Sequence, residues 1–576
     1  MNALKNRAGL NFCKYSFGAG ILWLAIVSSS YGGAAQSIQF RKVAETGMAA
    51  PGTEPGVVFG ALTTGLNHNL LIPKIDEAGR VAFMAMLSGP GIDVSNFQGM
   101  WAEENGMLRL VARGGLPAPG TEKGVNFIGV PSLELPFPPE GGGSHIAFHA
   151  ELTGDGLDVT NDQGFWAGGP GSVRLVAREG GPAPGLPGLR FSIPFGVANE
   201  AGHVLLRSDL SGPGVNNTNN SSFFTDRSGV LESFLREGDA APSTEAGTVF
   251  GGNFPFRAFS FNDNSSVAVS AKVEGPAVNG SNDQLLYVER DGTLDLVLRE
   301  GEPAPGAGPG ATFGGNSGDW SLDFVGLNNN ERVAFLVRLG GALSTQTAIY
   351  SDHTGVLAPV ALFGQPAPGL DFDFTLFATP VLNDSNQIVF GAAFPHDGGI
   401  FTPAPFGVFS DMSGSIAPVV SPGDTTLEGE VIDDARISGF NSAGQILLSV
   451  RIDSPAPRTG FWLRDTDGLL HRIAAIGDQF DVSGDGRDVR DVVRVVSGGM
   501  NEAGQVAIRI DFADNSSAHF VAGLPCQGIS LDIDQLITAL LSANPDAVTI
   551  CMHDGNGDGL LDARDIQSIV ESLLEE

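Results

Sequence analysis

Gly115-Leu-Pro-Ala-Pro-Gly120 is the stretch that decides the fold, because versions of it recur along most of the chain. Eight copies, close or loose, start 54 to 68 residues apart. Periods of this size without a helical pattern favour a ring of small β-sheets over a stacked helical solenoid. The other seven copies begin at Gly47, Gly180, Gly238, Gly301, Gly364, Gly423 and Gly477.

A second signature, Asn or Asp with Gly three residues later, precedes the clearest strand of most repeats. It reads Asp76-Glu-Ala-Gly79 in the first repeat and Asn501-Glu-Ala-Gly504 in the last. The Asn or Asp side chain can bond its own backbone two residues on, and Gly accepts the positive φ that closes such a turn. We therefore interpret these residues as structural. Related copies begin at Asn199, Asn262, Asn328, Asn383 and Asn441, with a degenerate one around His145.

Short apolar strands alternate with turn residues inside each repeat, the period-2 pattern of half-buried β-structure. In the first repeat we expect four strands, at residues 57–60, 80–87, 99–102 and 108–112. Four strands per repeat are typical of a propeller blade. The sequence therefore predicts a mainly β protein in the form of a β-propeller.

The two ends of the repeat array complement each other. The last repeat has candidate strands at 489–496, 505–510 and 518–522 but no fourth, whereas residues 37–44 match the fourth strands of other repeats. The N-terminal strand is predicted to complete the last blade, which would remove a free sheet edge. This gives an eight-bladed ring over residues 36–523. Seven blades is the alternative, because the last two repeats are short.

The N-terminus has the features of a secretory signal peptide, predicted over residues 1–35. Lys5, Arg7 and Lys14 precede an apolar stretch at 17–27, and small residues follow at 33–35. The apolar stretch is about half the ~20 residues that a bilayer-spanning helix needs, which disfavours the alternative of a membrane anchor. We expect a secreted, extracellular or cell-surface protein without a membrane span in its mature form.

The chain is strongly acidic. Its net charge is -33, and removal of residues 1–35 with three positive and no negative charges gives -33 - 3 = -36. Such a surface repels phosphate backbones and anionic lipids, so nucleic acid is not an expected partner. Solubility explains the charge, with an acidic binding face as the alternative.

Two cysteines, Cys526 and Cys551, remain after loss of the predicted signal peptide. In an oxidising compartment they predict one disulfide, and two free thiols are the alternative.

The chain from Asp554 to Asp565 has the spacing of a 12-residue EF-hand calcium loop. Oxygen side chains stand at positions 1, 3, 5, 9 and 12, and Gly559 stands at the sharp turn. Ca²⁺ requires several such hard oxygen donors. The predicted ligands are the side chains of Asp554, Asn556, Asp558, Asp562 and Asp565 and the backbone carbonyl of Leu560.

An internal duplication accompanies this loop, since residues 532–541 realign on 565–574 with apolar residues at helical spacing. Residues 524–576 therefore resemble a dockerin-type domain of the cysteine-containing form. The resemblance implies a small α-helical, EF-hand-like module that attaches the protein to a cohesin-like or other cell-surface receptor. Residues 521–531 lack Asp or Asn at ligand spacing, so one calcium site is expected. A bridge between Cys526 and Cys551 would replace the missing ion.

Residues 37–522 resemble a family of secreted bacterial tandem-repeat proteins named for an NxxGxxAF motif. The resemblance implies an extracellular protein with a C-terminal anchoring module and no established activity. Several turns depart from the motif, notably those with Glu331 and Asn386 in place of Gly, which leaves their geometry open.

Three smaller features of the sequence are candidate binding sites. Residues 481–488 mimic the start of a calcium loop and are interpreted first as an acidic turn, with calcium binding as the alternative. Repeated Arg-Glu pairs such as Arg178-Glu179 are expected to bond neighbouring blades. Trp101, Trp166 and Trp462 share one strand position and are expected to pack rather than to bind sugar.

No sequence motif for a zinc helix, a nucleophile elbow or a phosphate loop is present, so we predict no catalytic residue. Carboxylate pairs from different blades remain open, because no local motif would reveal them. The leading functional hypothesis is a non-catalytic propeller that binds an extracellular glycan or protein and is attached through its calcium module. The alternatives are a glycoside-cleaving propeller enzyme and a structural matrix or surface component.

Overall fold

A computed structural model describes residues 38–60, 72–128, 145–252, 256–314, 322, 325–343, 346–395, 404–453 and 457–524. Within these ranges every regular element is a β-strand, and the strands form eight antiparallel sheets. No helix long and apolar enough to cross a membrane occurs in this part of the chain.

The strands follow one another repeat by repeat. In the first four repeats, after β1 (Gln39–Glu45), they are β2 (Val58–Phe59), β3 (Lys74–Ile75), β4 (Val81–Ser88), β5 (Gln98–Glu104), β6 (Met107–Arg113), β7 (Asn126–Ile128), β8 (Ala147–Thr153), β9 (Gln163–Ala167), β10 (Arg174–Arg178), β11 (Arg190–Phe191), β12 (Phe195–Ala198), β13 (Val204–Ser211), β14 (Ser221–Thr225), β15 (Glu232–Arg236), β16 (Val249–Phe250), β17 (Phe256–Phe261), β18 (Val267–Glu274), β19 (Gln284–Arg290) and β20 (Thr293–Arg299). In the last four they are β21 (Ala311–Phe313), β22 (Val325–Leu327), β23 (Val333–Gly341), β24 (Thr347–Ser351), β25 (Ala358–Leu362), β26 (Val381–Leu382), β27 (Ile388–Ala393), β28 (Phe406–Ser410), β29 (Ala417–Val420), β30 (Ile432–Phe440), β31 (Ile446–Ile452), β32 (Arg458–Arg464), β33 (Leu470–Ala475), β34 (Gln479–Asp481), β35 (Val489–Met500), β36 (Val506–Phe512) and β37 (Ser517–Gly523).

Each repeat forms one sheet. We call these eight sheets blades 1 to 8 in chain order. In blade 1 the strand order is β2-β4-β5-β6, and β3 pairs with the other end of β4. The expected first strand is therefore two short pieces. Blades 3, 4 and 5 have the same divided first strand.

Strand β1 completes blade 8, as predicted. It pairs antiparallel with β37, so that Phe40 lies opposite Ala522, and the sheet order is β1-β37-β36-β35-β34. The backbone N–H of Thr46 continues the pairing by donating to the carbonyl of Ser517 at 2.9 Å. The N-terminal strand thus covers the edge that blade 8 would otherwise expose.

The Asn residues of the second signature bond one blade to the next. Besides accepting a hydrogen bond within its own turn, each Asn donates its side-chain N–H to a backbone carbonyl in the following blade, and Asn501 returns to blade 1. These bonds link blades 3 to 8 in succession and blade 8 to blade 1, and the eight sheets form a closed eight-bladed β-propeller. They join Asn199 to Asn262 (2.9 Å), Asn262 to Asn328 (2.9 Å), Asn328 to Asn383 (2.8 Å), Asn383 to Asn441 (2.9 Å), Asn441 to Glu502 (3.1 Å) and Asn501 to Asp76 (3.0 Å).

Three of the described turns have another residue in place of Gly, namely Ser265 (φ 65°), Glu331 and Asn386, and they keep the same geometry. Glu331 and Asn386 adopt φ of 59° and 57°, close to the 75° of Gly79. Surrounding bonds hold these two residues in the left-handed region, which non-Gly side chains otherwise avoid.

The aromatic strand position explains the Pro-Ala-Pro-Gly turn. Trp101 and Trp166 are buried, and the indole N–H of each donates to the carbonyl of Pro51 or Pro119 at 3.0 and 2.9 Å. Trp462 at the same position is buried too. The packing prediction is confirmed, and in blades 1 and 2 the aromatic residue also fastens the turn that enters its own blade.

Candidate functional site

Side chains that follow the Asn or Asp of each turn form a second cyclic arrangement, which we call the turn ring. The backbone N–H of each member donates to the side chain of the next one. Seven turns are linked in this way, and the turn that precedes His145 in blade 2 lies outside the described residues. The bonds run from Glu77 to Glu200 (3.5 Å), Glu200 to Asp263 (3.1 Å), Asp263 to Asn329 (2.9 Å), Asn329 to Asp384 (2.7 Å), Asp384 to Ser442 (3.2 Å), Ser442 to Glu502 (2.7 Å) and Glu502 to Glu77 (2.9 Å).

The carboxyl groups of the turn ring repel one another. Burial raises the pKa of Glu77 to about 7, and the nearby charges of Glu502 and Asp263 add to the rise. Burial raises the pKa of Glu200 to about 8, with further contributions from Asp76, Glu77 and Asp263. Two neighbouring carboxyl groups therefore hold protons near neutral pH, the state that a general acid requires.

Ion pairs join successive blades at the same end of the molecule, and we call them the inter-blade relay. An acidic side chain at the end of the third strand accepts the backbone N–H that starts the second strand, as Asp226 does from Val204 at 2.7 Å. The residue after this acid reaches the acid of the next blade. The ion pairs are Arg227 with Glu289 (2.6 Å) and Arg290 with Asp352 (2.5 Å), and His353 Nε2 lies 3.1 Å from the Asp411 carboxylate.

The inter-blade relay is absent between blades 1 and 2. It is also absent between blades 6 and 7 and between blades 7 and 8, where Met412 follows the acid of blade 6 and where Arg464 and Ala522 replace the acids of blades 7 and 8. Blade 1 has Glu104 where a basic residue stands in blades 3 and 4, and blade 2 has Gly168-Gly169 in place of the acid and its follower. Arg174 of the fourth strand takes over the link from blade 2 to Asp226 of blade 3. Neither half of the usual bridge is therefore present between blades 1 and 2.

A cavity of about 490 Å³ opens at this interruption, within the size range of ligand pockets. We call it the gap cavity. Its walls come from blades 1, 2 and 3 and include Arg80, Glu104, His145, Gly168, Arg174 and Gly202.

The charged side chains that line the gap cavity are fixed by ion pairs. Arg80 Nε bonds Asp76 Oδ2 at 2.8 Å, and Arg174 pairs with Asp226. The two acids are buried, at 1% and 7% exposure. Glu104 pairs with Arg109 at 3.1 Å.

His145 lies between these groups. Burial, and then the positive charge of Arg80, lowers the pKa of His145, so the imidazole is neutral at pH 7. A Cβ on Gly202 would lie 2.6 Å from His145 Cδ2, at a φ of +81°. Glycine at this turn therefore makes room for the imidazole ring.

The predicted calcium ligands and both cysteines of the predicted disulfide lie outside the described residues, as does the predicted signal peptide. Among the residues that the structure describes, no group of three or more His, Cys, Asp or Glu side chains is arranged to hold a metal ion. The acidic loop at 481–488 joins β34 to β35, and the carboxylate of Asp481 accepts the N–H groups of Gly484 and Gly486 in its own loop at 3.0 and 2.6 Å. This contact pattern is that of an acidic turn.

The expectation that the repeated Arg-Glu pairs bond neighbouring blades is wrong for Arg178. Its guanidinium bonds Glu122 at 2.6 Å and the carbonyl of Asn161 at 3.0 Å, both in its own repeat. Glu179 turns away and is buried. Successive residues of a strand point to opposite faces, so adjacent residues cannot act as one pair.

The turn ring and the gap cavity were not predicted. Their signals were present in the aligned repeats: Glu or Asp follows the first turn residue in most copies, and Gly168-Gly169 replaces an acidic residue and its follower. Both signals need the repeats to be compared with one another.

The closed ring of four- and five-stranded sheets defines the protein as an eight-bladed β-propeller. The chain belongs to a family of unknown function (DUF7453), whose family description matches residues 35–323 and 320–525. No curated protein matches it.

Several solved structures are similar to it. The β-propeller domain of the Trilobed protease from Pyrococcus furiosus is 10% identical over 71% of this chain and 98% of that one, with a TM-score of 0.32. An acylaminoacyl peptidase from Pyrococcus horikoshii is 11% identical over 76% of this chain, which spans 57% of the peptidase, with a TM-score of 0.31. A polysaccharide lyase of family PL25, an ulvan lyase, is 9% identical over 66% of this chain and 90% of that one, with a TM-score of 0.29.

Proposed function

We propose that this protein is a secreted, non-catalytic propeller that binds an extracellular glycan or protein. The observation that supports this most is the gap cavity, a polar recess of ligand size at a blade interface that lacks the inter-blade relay. Side chains of the turn ring, by contrast, accept backbone N–H bonds that hold blades together. The ring is thus a rigid frame, and rigid frames lower the ordering cost of binding.

The proposed attachment lies in residues 524–576. Its support is the sequence alone: the calcium-loop spacing from Asp554 to Asp565, the duplicated helical pattern, the paired cysteines and the dockerin-type resemblance. The partner would be a cohesin-like or other cell-surface receptor that requires Ca²⁺.

Retention of the full chain on the cell surface, with Ca²⁺ and then with a chelator, tests the attachment. We expect release by the chelator and by Asp554→Ala with Asp558→Ala, because each substitution removes a hard oxygen ligand. Retention that is unchanged under both conditions would contradict a calcium-dependent module.

Binding to glycan and protein arrays by the purified chain, with product release measured on every glycan that binds, tests the main proposal. We expect binding without bond cleavage. Turnover would exclude the non-catalytic function, and binding to cell-surface proteins alone would favour a structural surface role.

A second candidate function, cleavage of glycosidic bonds, has one observation in its favour. Glu77 and Glu200 are neighbours, and their pKa values of about 7 and about 8 suit proton donation at neutral pH. Loss of turnover in both Glu77→Gln and Glu200→Gln, with binding retained, would support it. Absence of turnover by the wild-type chain on all bound glycans would exclude it.

A further inference from the structure

The gap cavity is rich in hydrogen-bond donors although the chain as a whole carries a net charge of -33. Arg80 and Arg174 both contribute to its wall, together with His145. Glu104 is the one acidic side chain among the described lining residues, and its pairing with Arg109 moderates its charge. An anionic ligand that is repelled by most of this protein would find its best local environment here.

The two guanidinium groups are oriented before any ligand arrives. Each is fixed by a buried carboxylate that does not line the cavity, Asp76 for Arg80 and Asp226 for Arg174. Each of these bonds uses one guanidinium nitrogen, and the fork carries five N–H donors. The arginine side chains are 19% and 47% exposed, so the remaining donors are accessible. Fixed arginine forks are suited to planar or tetrahedral oxyanions.

The remaining lining residues indicate which kind of molecule carries the anionic group. Asn105 and Ser172 supply neutral polar groups beside the charged ones, and Glu104 adds an acceptor. Small apolar side chains, Ala167 and Ala198, complete the surface, and no aromatic ring is among the described lining residues. This mixture suits a hydroxyl-rich ligand held by hydrogen bonds rather than by ring stacking.

We propose that the gap cavity binds an acidic sugar residue, with Arg80 and Arg174 receiving its carboxylate or sulfate. The inference rests on the proposed ligand-binding function and identifies the site and ligand class. The neutral amide and hydroxyl groups hold the sugar hydroxyls. A relay bridge between blades 1 and 2 would occupy the space of this site.

Titration calorimetry on the full chain tests the inference with three probes: a uronate trisaccharide, a sulfated disaccharide and a neutral trisaccharide. We expect the carboxylated or sulfated probe to bind at least about tenfold more tightly than the neutral one, and less tightly as salt rises. The arm that binds identifies the anion. Equal affinity for acidic and neutral probes, or no binding of either acidic probe, would overturn the inference.

Three variants locate the site. Arg174→Lys keeps a positive charge beside Asp226 but loses the guanidinium fork, and should weaken acidic-sugar binding about tenfold. Arg290→Lys makes the same change in an inter-blade pair outside the cavity and should leave binding unchanged. Ala201→Trp fills the cavity from an exposed position and should abolish binding without removing a buried contact.

The outcomes separate this inference from the proposed function. Acidic-sugar binding that survives Ala201→Trp, with the fold intact by melting temperature, would overturn the site while the binding function stands. Array binding confined to ligands other than acidic sugars would also overturn the inferred site and leave the proposed binding function standing. If the protein bound nothing on the glycan or protein arrays, the proposed binding function itself would be contradicted.

Discussion

Replacing Glu200 by Gln is expected to stabilise the propeller at alkaline pH and to change little at acid pH. The pKa of Glu200 in the folded protein is about 8, against an ordinary value of 4.5, because burial and the charges of Asp76, Glu77 and Asp263 disfavour ionisation. The neutral carboxyl therefore favours the folded state. This stabilisation is complete below the unfolded pKa near 4.5 and is lost as the pH rises through about 8.

The magnitude follows from the size of the shift. Each unit of pKa difference corresponds to about 1.4 kcal/mol of unfolding free energy, so the range from pH 5.5 to 8 represents about 3 kcal/mol before solvent screening. Partial exposure of Glu200 reduces this to roughly 2 kcal/mol. In a ring of this size, 2 kcal/mol corresponds to a melting-temperature change of about 2–3 °C. Gln keeps the shape and an acceptor oxygen for the Glu77 N–H but cannot ionise.

Melting temperatures of the wild type and of Glu200→Gln at pH 5.5, 7 and 9 provide the assay. The variant should gain about 2–3 °C over the wild type between pH 5.5 and 9. Glu232→Gln, an exposed position at the start of β15, is the matched control and should show no pH-dependent difference. A difference between Glu200→Gln and wild type that is constant with pH would refute the proposed environment of Glu200.

Three further outcomes are expected. Asn501→Ala removes one of two donors to the carbonyl of Asp76, which also accepts the N–H of Gly79, and should lower the unfolding free energy by about 1 kcal/mol in urea titration; an unchanged midpoint would contradict the bond. Deletion of 39–45 uncovers β37 and should lower the melting temperature and promote association, measured by light scattering; a monomer with the wild-type melt would oppose ring closure. Gly99→Ala puts a Cβ 2.6 Å from Trp101 Cη2 and should cost about 1–3 kcal/mol, followed by tryptophan fluorescence in urea; wild-type stability would show that the ring can move aside.

Local chemistry made the blades predictable. The Pro-Ala-Pro-Gly turns, the period-2 strands and the Asn-initiated turns all act over a few residues, so each repeat could be recognised by itself. The unmatched strand at 37–44 predicted the closure, because one strand was missing at the other end of the array. The pairing of β1 with β37 confirms that inference.

Contacts between repeats were harder to predict from the sequence. Glu77 looks like an ordinary surface acid in the sequence, and its contact with Glu200 joins residues 123 positions apart. Residues 57–60 resemble one short strand, whereas β4 is long enough to pair with both β2 and β3. Local patterns do not show such nonlocal pairing. The prediction for Arg178 was wrong for the same reason, because its partner Glu122 lies in the turn before its blade.

The position of β1 in blade 8 has a consequence for biogenesis. Thr46 and its partner Ser517 are 471 residues apart, so the first strand to leave the ribosome is among the last to find its neighbour. Throughout synthesis of the residues between β1 and β37, this segment is an unpaired β-strand in a growing chain, open to capture by a chaperone or by another nascent copy. Completion of the circle must therefore wait until β37 has been made, and its yield will depend on how well β1 is shielded in the interval.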